Sequence, residues 1–573
     1  MEHTKRKKIL VSIFLLIGIL LVAVLSFIYV QKTYFFTPEM YTEGMAMGFR
    51  TQCYQNTVEI ADIRKADFNY DVKYVHRDAE KTRLVDCANG FVLDFPTETG
   101  FDFSRSEFGT RAIVSDDYIA DVSREYSPYD DVQSYIEHYY NRFMLASEFQ
   151  KNNNITLHEN TTRTIGEKTV RIISLTRTPY PGSEIVHNSY TFAYIIDPER
   201  PKQFIRLMLK ARSYDPATAD RLLESLVMMQ RKGTPAYVID TTPVMPNWNE
   251  ETQALYDQLK NSDDIMWGVY THKLIDPSGL SDEVNRLEGE LDYTFPLVMG
   301  YTYLADGLPL KGMEEAHEAG KAIELTLQIS TPDNAGLDSL TNPNFEVLDG
   351  QKDEELRIFA RQLRDYSHPV IFRLNNEMNT DWTSYSGVVC LSDPDIYKQV
   401  HARVFRIFQE EGVDNVIWTF NPQYGNYPPA SWNHYMNYYP GNEQIQLLGV
   451  TAYNTGTYYQ EENAETWRSF DELYSAASEL YMRDFADMPW IITEFSCSSY
   501  GGNKANWIRN MFADIKKYKN IKAAVWFHFA DYATKPDGTK EVARPYFLDE
   551  TPETLQAFKD GLHGIITQER LPE

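Results

Sequence analysis

The C-terminal half of the chain alternates short apolar runs with amphipathic stretches. From about Asp263 the runs are IMWGVYT, PLVMGYTYL, AIELTLQIS, PVIFRLNNE, NVIWTFNP, LLGVTAYN, PWIITEFS and AAVWFHFA, eight in all. Each has the length and the β-branched or aromatic enrichment of a strand buried on both faces. Helical patterns lie between most of them, among them DEELRIFARQLRDY, YKQVHARVFRIFQEEG, SFDELYSAASELYMRDF and NWIRNMFADIKKY, and TPETLQAFKDGLHG closes the chain. After the fifth run only SWNHYMNYY offers a helix. Eight buried strands alternating with helices over about three hundred residues predict a (β/α)8 barrel across 263–573. A doubly wound open sheet is the rival, but no GxGxxG or Walker loop follows any run.

The preceding segment, 61–232, has a different texture. Its β-like runs (FVLDFP, TRAIVSD, KTVRIISLTRT, YTFAYIID, QFIRLMLKARS) follow one another, with helical patterns at VQSYIEHYYNRFMLASEF and TADRLLESLVMM. Strands together and helices at the margins predict a small α+β domain. Its FVLDFP strand and closing helix resemble the extracytoplasmic domains related to the photosystem PsbP protein. The Pro-rich stretch around Pro235, Pro243 and Pro246 reads as a linker over 233–262. At the other end, a basic tail (1–8, with Lys5, Arg6, Lys7 and Lys8) precedes an uncharged run, Ile9–Val30. That run is long enough to cross a bilayer as a helix, and basic residues on its N-terminal side keep that end in the cytoplasm. The expectation is an uncleaved signal anchor over 9–30 and a connector over 31–60, with the later domains outside the cell membrane.

Composition narrows the chemistry. At 573 residues the chain has room for two or three domains, and its net charge of −27 argues against nucleic acid and other polyanions as partners. Aromatic residues reach 14%, which serves cores first but also suits the flat faces of sugars. The four cysteines show no metal-ligand spacing; Cys53 and Cys87 could pair in an oxidising compartment. His272 and His528 lie near strand ends without HxH or HExxH spacing, so neither a catalytic metal nor any other cofactor is expected.

In a barrel the reacting groups gather where strands end. Glu377 ends the fourth run and Glu494 ends the seventh, whereas Glu324 falls inside the third as a paired interior or an outer-face residue. Two carboxyl groups across one barrel mouth suit glycoside cleavage, in which one protonates the leaving oxygen and the other meets the anomeric carbon. Arg373 precedes Glu377 by four residues, and a fixed cation there would hold Glu494 ionised, as a nucleophile requires. Burial should raise the Glu377 carboxyl. Trp526, at the end of the eighth run, is the expected floor of the cleavage subsite, with Trp382, Trp418 and Tyr385 as further stacking candidates.

The segments FEVLDGQKDEELRIFARQLRDYSHPVIFRLNNEMNTDW, YKQVHARVFRIFQEEGVDNVIWTFNPQ and PWIITEFS resemble clan A glycoside hydrolases, and within the clan family 26, the β-mannanase family. The resemblance covers about 263–565. The family pattern R-x-x-H-E-M-N-G-x-W is matched by Arg373, Glu377, Met378, Asn379 and Trp382. It implies that Glu377 is the acid/base, that Glu494 is the nucleophile and that Tyr453 orients the nucleophile. Two positions depart: Asn376 stands in place of the family histidine and Thr380 in place of its glycine. An Asn at that position is common in the wider clan, where it binds the sugar 2-hydroxyl, so the departure bears on mannan specificity rather than on hydrolysis. The resemblance implies a retaining glycosidase acting within a polysaccharide, and the N-terminal run makes the expectation a membrane-anchored, extracellular one. A non-catalytic glycan-binding or polysaccharide-export protein on the same barrel is the alternative.

Overall fold

A computed structural model describes residues 18–25, 52–53, 70–71 and 73–573, apart from positions 116, 235, 238, 332, 334, 335, 567 and 568. The expected anchor over 9–30 lies mostly outside the described residues; 18–25 are helical and exposed. No helix among the described residues is long and apolar enough to cross a membrane. The side chain of Cys53, and with it the pairing with Cys87, also lies outside them.

The chain divides into two compact units, one of residues 1–135, 156–177 and 186–239, the other of 136–155, 178–185 and 240–573. The first is built on antiparallel sheets. Its larger sheet has seven strands, and the long strands Tyr118–Tyr126, Gln203–Ala211, Ser189–Ile196, Lys168–Arg177 and Ile155–Ile165 lie side by side in that order. Alternate residues such as Val170, Ile172, Ala193, Ile195, Ile205 and Leu207 enter one apolar core, which the helix Pro216–Ser225 completes through Ala219, Leu222 and Leu223. The expected α+β character is present here. The stretch VQSYIEHYYNRFMLASEF is divided, however, and residues from Ile136 onward belong to the second unit.

The second unit holds a closed parallel barrel. Its strands are β1 (Met266–Thr271), β2 (Leu297–Tyr303), β3 (Ala322–Gln328), β4 (Val370–Leu374), β5 (Val416–Phe420), β6 (Leu447–Thr451), β7 (Trp490–Phe495) and β8 (Ile521–His528). All eight coincide with the apolar runs. β8 pairs with β1 from Met266↔Ala523 to Thr271↔His528, which closes the ring. Leu297, Met299, Ile371, Ile417, Leu447, Ile491, Ala523 and Val525 fill its interior, so the lower part is packed core and the upper rim is free for chemistry.

The linker expectation over 233–262 needs correction. Glu250–Asn261 is a helix, capped by the Asn249 side chain on the Thr252 N–H. Tyr256 and Leu259, at helical spacing, join the apolar cluster inside the barrel, and the Trp248 indole donates to the Val416 carbonyl. Residues 250–261 are part of the barrel fold. After β5 the chain forms only two short 3-10 turns, Ser431–Asn433 and Tyr435–Asn437, in place of a crossover helix.

Candidate active site

Arg373 organises the upper end of the barrel. It lies on β4, fully buried, and points inward. Its Nη1 donates to Glu494 Oε1 (2.6 Å) and to Asn421 Oδ1 (2.6 Å), its Nε donates to Thr326 Oγ1 (2.7 Å), and Nη2 reaches the Tyr301 hydroxyl at 3.4 Å. Glu494 sits on β7, where the pairing with β8 shifts register between Ile492 and Phe495. Such an irregularity re-aims a side chain at a barrel rim. The other Glu494 oxygen, Oε2, accepts from the Tyr453 hydroxyl at 2.9 Å. Burial and then the Glu494 charge push Tyr453 well above the ordinary phenol value, so its hydroxyl stays a donor. The nucleophile candidate is thus held on both oxygens, by a guanidinium and a phenol.

Glu377 reaches the same place by a strained route. β4 ends at Leu374, and Asn375 (φ 47°) and Glu377 (φ 54°) both adopt left-handed backbone. For residues other than glycine this costs on the order of 1–3 kcal/mol and is found mostly where function over-determines the geometry. Strand alternation therefore stops short of Glu377, and the turn aims its side chain. Main-chain bonds hold the turn, from Asn375 N to Leu327 O (3.0 Å) and from Glu377 N to Asn421 O (2.8 Å). Gln423 Nε2 donates to Glu377 Oε1 (3.2 Å), and Trp382 Nε1 donates to Oε2 (3.1 Å). Burial above all, and then the charge of Glu494, raise the Glu377 carboxyl to about 7, against the smaller opposing pull of the Trp382 hydrogen bond and Arg373. The two carboxyl groups feel each other, and only Glu494 is gripped by a buried cation, so they stand in unequal surroundings.

Asn376 is nearly buried, and its Oδ1 accepts from the Tyr385 hydroxyl (3.1 Å) and Gln328 Nε2 (3.3 Å). Trp382 is 43% exposed and stands 5.5 Å, ring to ring, from Tyr427, which is 48% exposed. These are open faces beside the acid.

Three aromatic expectations are overturned. Trp526 is fully buried, donates its indole N–H to the Tyr546 carbonyl, and packs among Phe495, Trp507 and Phe558 outside the barrel wall. The neighbour Phe527 takes the inward position, stacked on Tyr270 at 4.6 Å and edge-on to Tyr453 at 5.8 Å. A one-residue difference along a strand changes the face. Trp418 likewise points outward, against Phe372, His401, Phe405 and Phe408. Tyr385 is buried and orients Asn376 rather than offering a face. Residues that sequence reasoning missed are Asn421, Gln423, Thr326, Tyr301 and Tyr427. Only the Asn-Pro-Gln after β5 stood in plain view as a polar strand end.

Residues 326–523 match the model of Glycosyl hydrolase family 26. The match contains Arg373, Glu377, Tyr453 and Glu494 and stops before Trp526, and over 326–523 it bears out the resemblance carried by the β4 motif. Endoglucanase H of Acetivibrio thermocellus is 28% identical over 222 residues, which is 38% of this chain and 23% of that protein. A mannan endo-1,4-beta-mannosidase of Bacillus subtilis is 28% identical over 103 residues, 17% of this chain and 27% of that protein. The chain therefore spans about a quarter of the length of these curated relatives. A solved Bacillus subtilis mannanase is 16% identical, with a TM-score of 0.36, covering 50% of this chain and 88% of its own.

Proposed function

We propose that the barrel is a retaining β-glycoside hydrolase that cuts within a β-linked polysaccharide such as mannan or a related glycan. Glu377 is the acid/base and Glu494 the nucleophile. The observation that carries this reading is the unequal treatment of the two carboxyl groups. Glu494 receives Arg373 on one oxygen and Tyr453 on the other, while Glu377 is half-buried and raised to about 7. In the first step Glu377 gives its proton to the glycosidic oxygen as the C1–O bond breaks, and a Glu494 oxygen bonds to C1. The leaving sugar departs as an alcohol. Water then gives a proton to the Glu377 carboxylate while its oxygen bonds to C1, which frees Glu494 as a carboxylate. Two inversions leave the anomeric configuration unchanged.

The names of the relatives, an endoglucanase and a mannan endo-mannosidase, support endo action on a β-linked chain. The exposed Trp382 and Tyr427 offer platforms for such a chain. The basic tail and the uncharged run Ile9–Val30 support an anchor that holds the barrel outside the cell. Hydrolysis of mannan, β-glucan and xylan by the native protein and by Glu494→Gln tests the assignment. Loss of activity in the variant is expected; undiminished activity would exclude Glu494 as nucleophile.

A further inference from the structure

One buried carboxyl group beneath the site takes no part in the mechanism above. Glu324 lies on β3, fully buried, and faces the barrel interior one layer below Thr326. Its register neighbours are Met299 on β2 and Ile371 on β4, both in the apolar interior. Glu324 Oε1 is 3.1 Å from Arg373 Nε. The Nε–H is nevertheless committed to Thr326 Oγ1, and neither Glu324 oxygen accepts a hydrogen bond from any described residue. Two carboxyl groups therefore compete for one guanidinium. Glu494 has a direct hydrogen bond to it and Glu324 has proximity alone.

An ionised carboxylate in an apolar layer needs hydrogen bonds to offset its lost hydration; a neutral carboxyl needs far fewer. Titratable and charged groups facing Glu324 are Arg373 from β4, Glu494 from β7 and Tyr301 from β2, with Tyr301 within reach of Arg373 Nη2. A single cation stands among them, and Glu494 already engages it.

Resting on the hydrolase reading, we propose that Glu324 is a positioning residue that keeps its proton in the working state. The whole Arg373 charge is then left to the nucleophile. Burial above all, opposed by the pull of Arg373 and helped by the smaller repulsion of Glu494, pushes the Glu324 carboxyl up to about 8. Once the proton is lost, a second anion draws the guanidinium toward the barrel floor and weakens its hold on Glu494.

The test pairs a spectroscopic readout with a kinetic one. Infrared difference spectra of native protein minus Glu324→Gln at pH 7 should show the C=O stretch of a buried protonated carboxyl, fading between pH 7 and 9. This readout needs no turnover, so it separates failure of the present idea from failure of the hydrolase assignment. In kinetics, Glu324→Gln supplies a permanently neutral side chain of the same shape. Above pH 8 log(kcat/KM) of the native protein should fall with a slope of −2, because Glu377 and Glu324 both ionise, and that of Glu324→Gln with a slope of −1. At pH 9 the variant should retain about tenfold more of its optimal activity than the native protein retains. Absence of the protonated-carboxyl band at pH 7 would overturn the proposal. Superimposable pH profiles, or a Glu324→Gln protein folded by circular dichroism but inactive at its optimum, would overturn it as well.

Discussion

Replacing Glu377 by glutamine should damage catalysis and strengthen the fold at the same time. The side chain keeps its shape and can still meet Gln423 and Trp382, but it has no proton to give and no charge to bury. Moving a carboxyl from its ordinary 4.5 to about 7 corresponds to about 3 kcal/mol, at about 1.4 kcal/mol per pKa unit. The folded state binds this proton more tightly than the unfolded chain, so stability falls as pH rises from 4.5 to 7. Below 4.5 the carboxyl is neutral in both states and the penalty is absent; above 7 it is complete. Glu377→Gln escapes it. Thermal unfolding of the barrel should therefore show equal midpoints for the two proteins near pH 4. At pH 8 the variant should lead by about 6 °C, taking about 2 °C per kcal/mol. In the same preparations, kcat/KM on polysaccharide should fall by roughly 10²- to 10⁴-fold, the usual contribution of a general acid. An aryl glycoside whose leaving group needs no proton should lose less than about tenfold in its first step. A variant with the native pH dependence of its midpoint, or one that loses both substrates equally, would refute the reasoning.

Other expectations follow from the same contacts. Native kcat/KM should begin to decline near pH 7, because only protonated Glu377 can assist departure, and the decline should steepen above about pH 8 as Glu324 also ionises. Trp382→Phe removes the N–H that favours the ionised carboxyl, so its alkaline limb should move to higher pH while the ring face remains. Arg373→Met strands Glu494 without its cation, at about 3–5 kcal/mol, and steady-state kinetics should record a loss of roughly 10²- to 10³-fold in kcat/KM. Trp526→Ala should cost about 3–5 kcal/mol of stability by denaturant unfolding and leave KM unchanged, since the indole lies in the core. A raised KM in that variant would return Trp526 to the cleft.

The barrel was legible because parallel strands covered on both faces carry continuous apolar runs, and all eight runs became strands. The same continuity hid which face each residue takes. In AAVWFHFA nothing distinguishes Trp526 from Phe527 by polarity, and ring size favours Trp526 for the cleft although the pairing of Tyr270 with Phe527 puts the smaller ring there. Glu377 and Glu494 stood out because carboxyl groups at the ends of such runs have no packing role. Asn421, Gln423 and Tyr427 did not, because polar residues in a loop after β5 are ordinary until the fold brings them to Glu377. The helix Glu250–Asn261 was masked by the prolines before it, although the Asn249 cap and the spacing of Tyr256 and Leu259 were present. The left-handed backbone at Asn375 and Glu377 had no counterpart in the sequence pattern.

The central claim is that Glu494 bonds to the anomeric carbon. A 2-deoxy-2-fluoro glycoside with an activated leaving group, incubated with the purified protein and followed by intact mass and peptide mapping, reads that bond directly. The account predicts one added fluorosugar on the peptide containing Glu494, and none on Glu494→Gln. Hydrolysis of the reagent with no adduct, or an adduct on another residue, would contradict it.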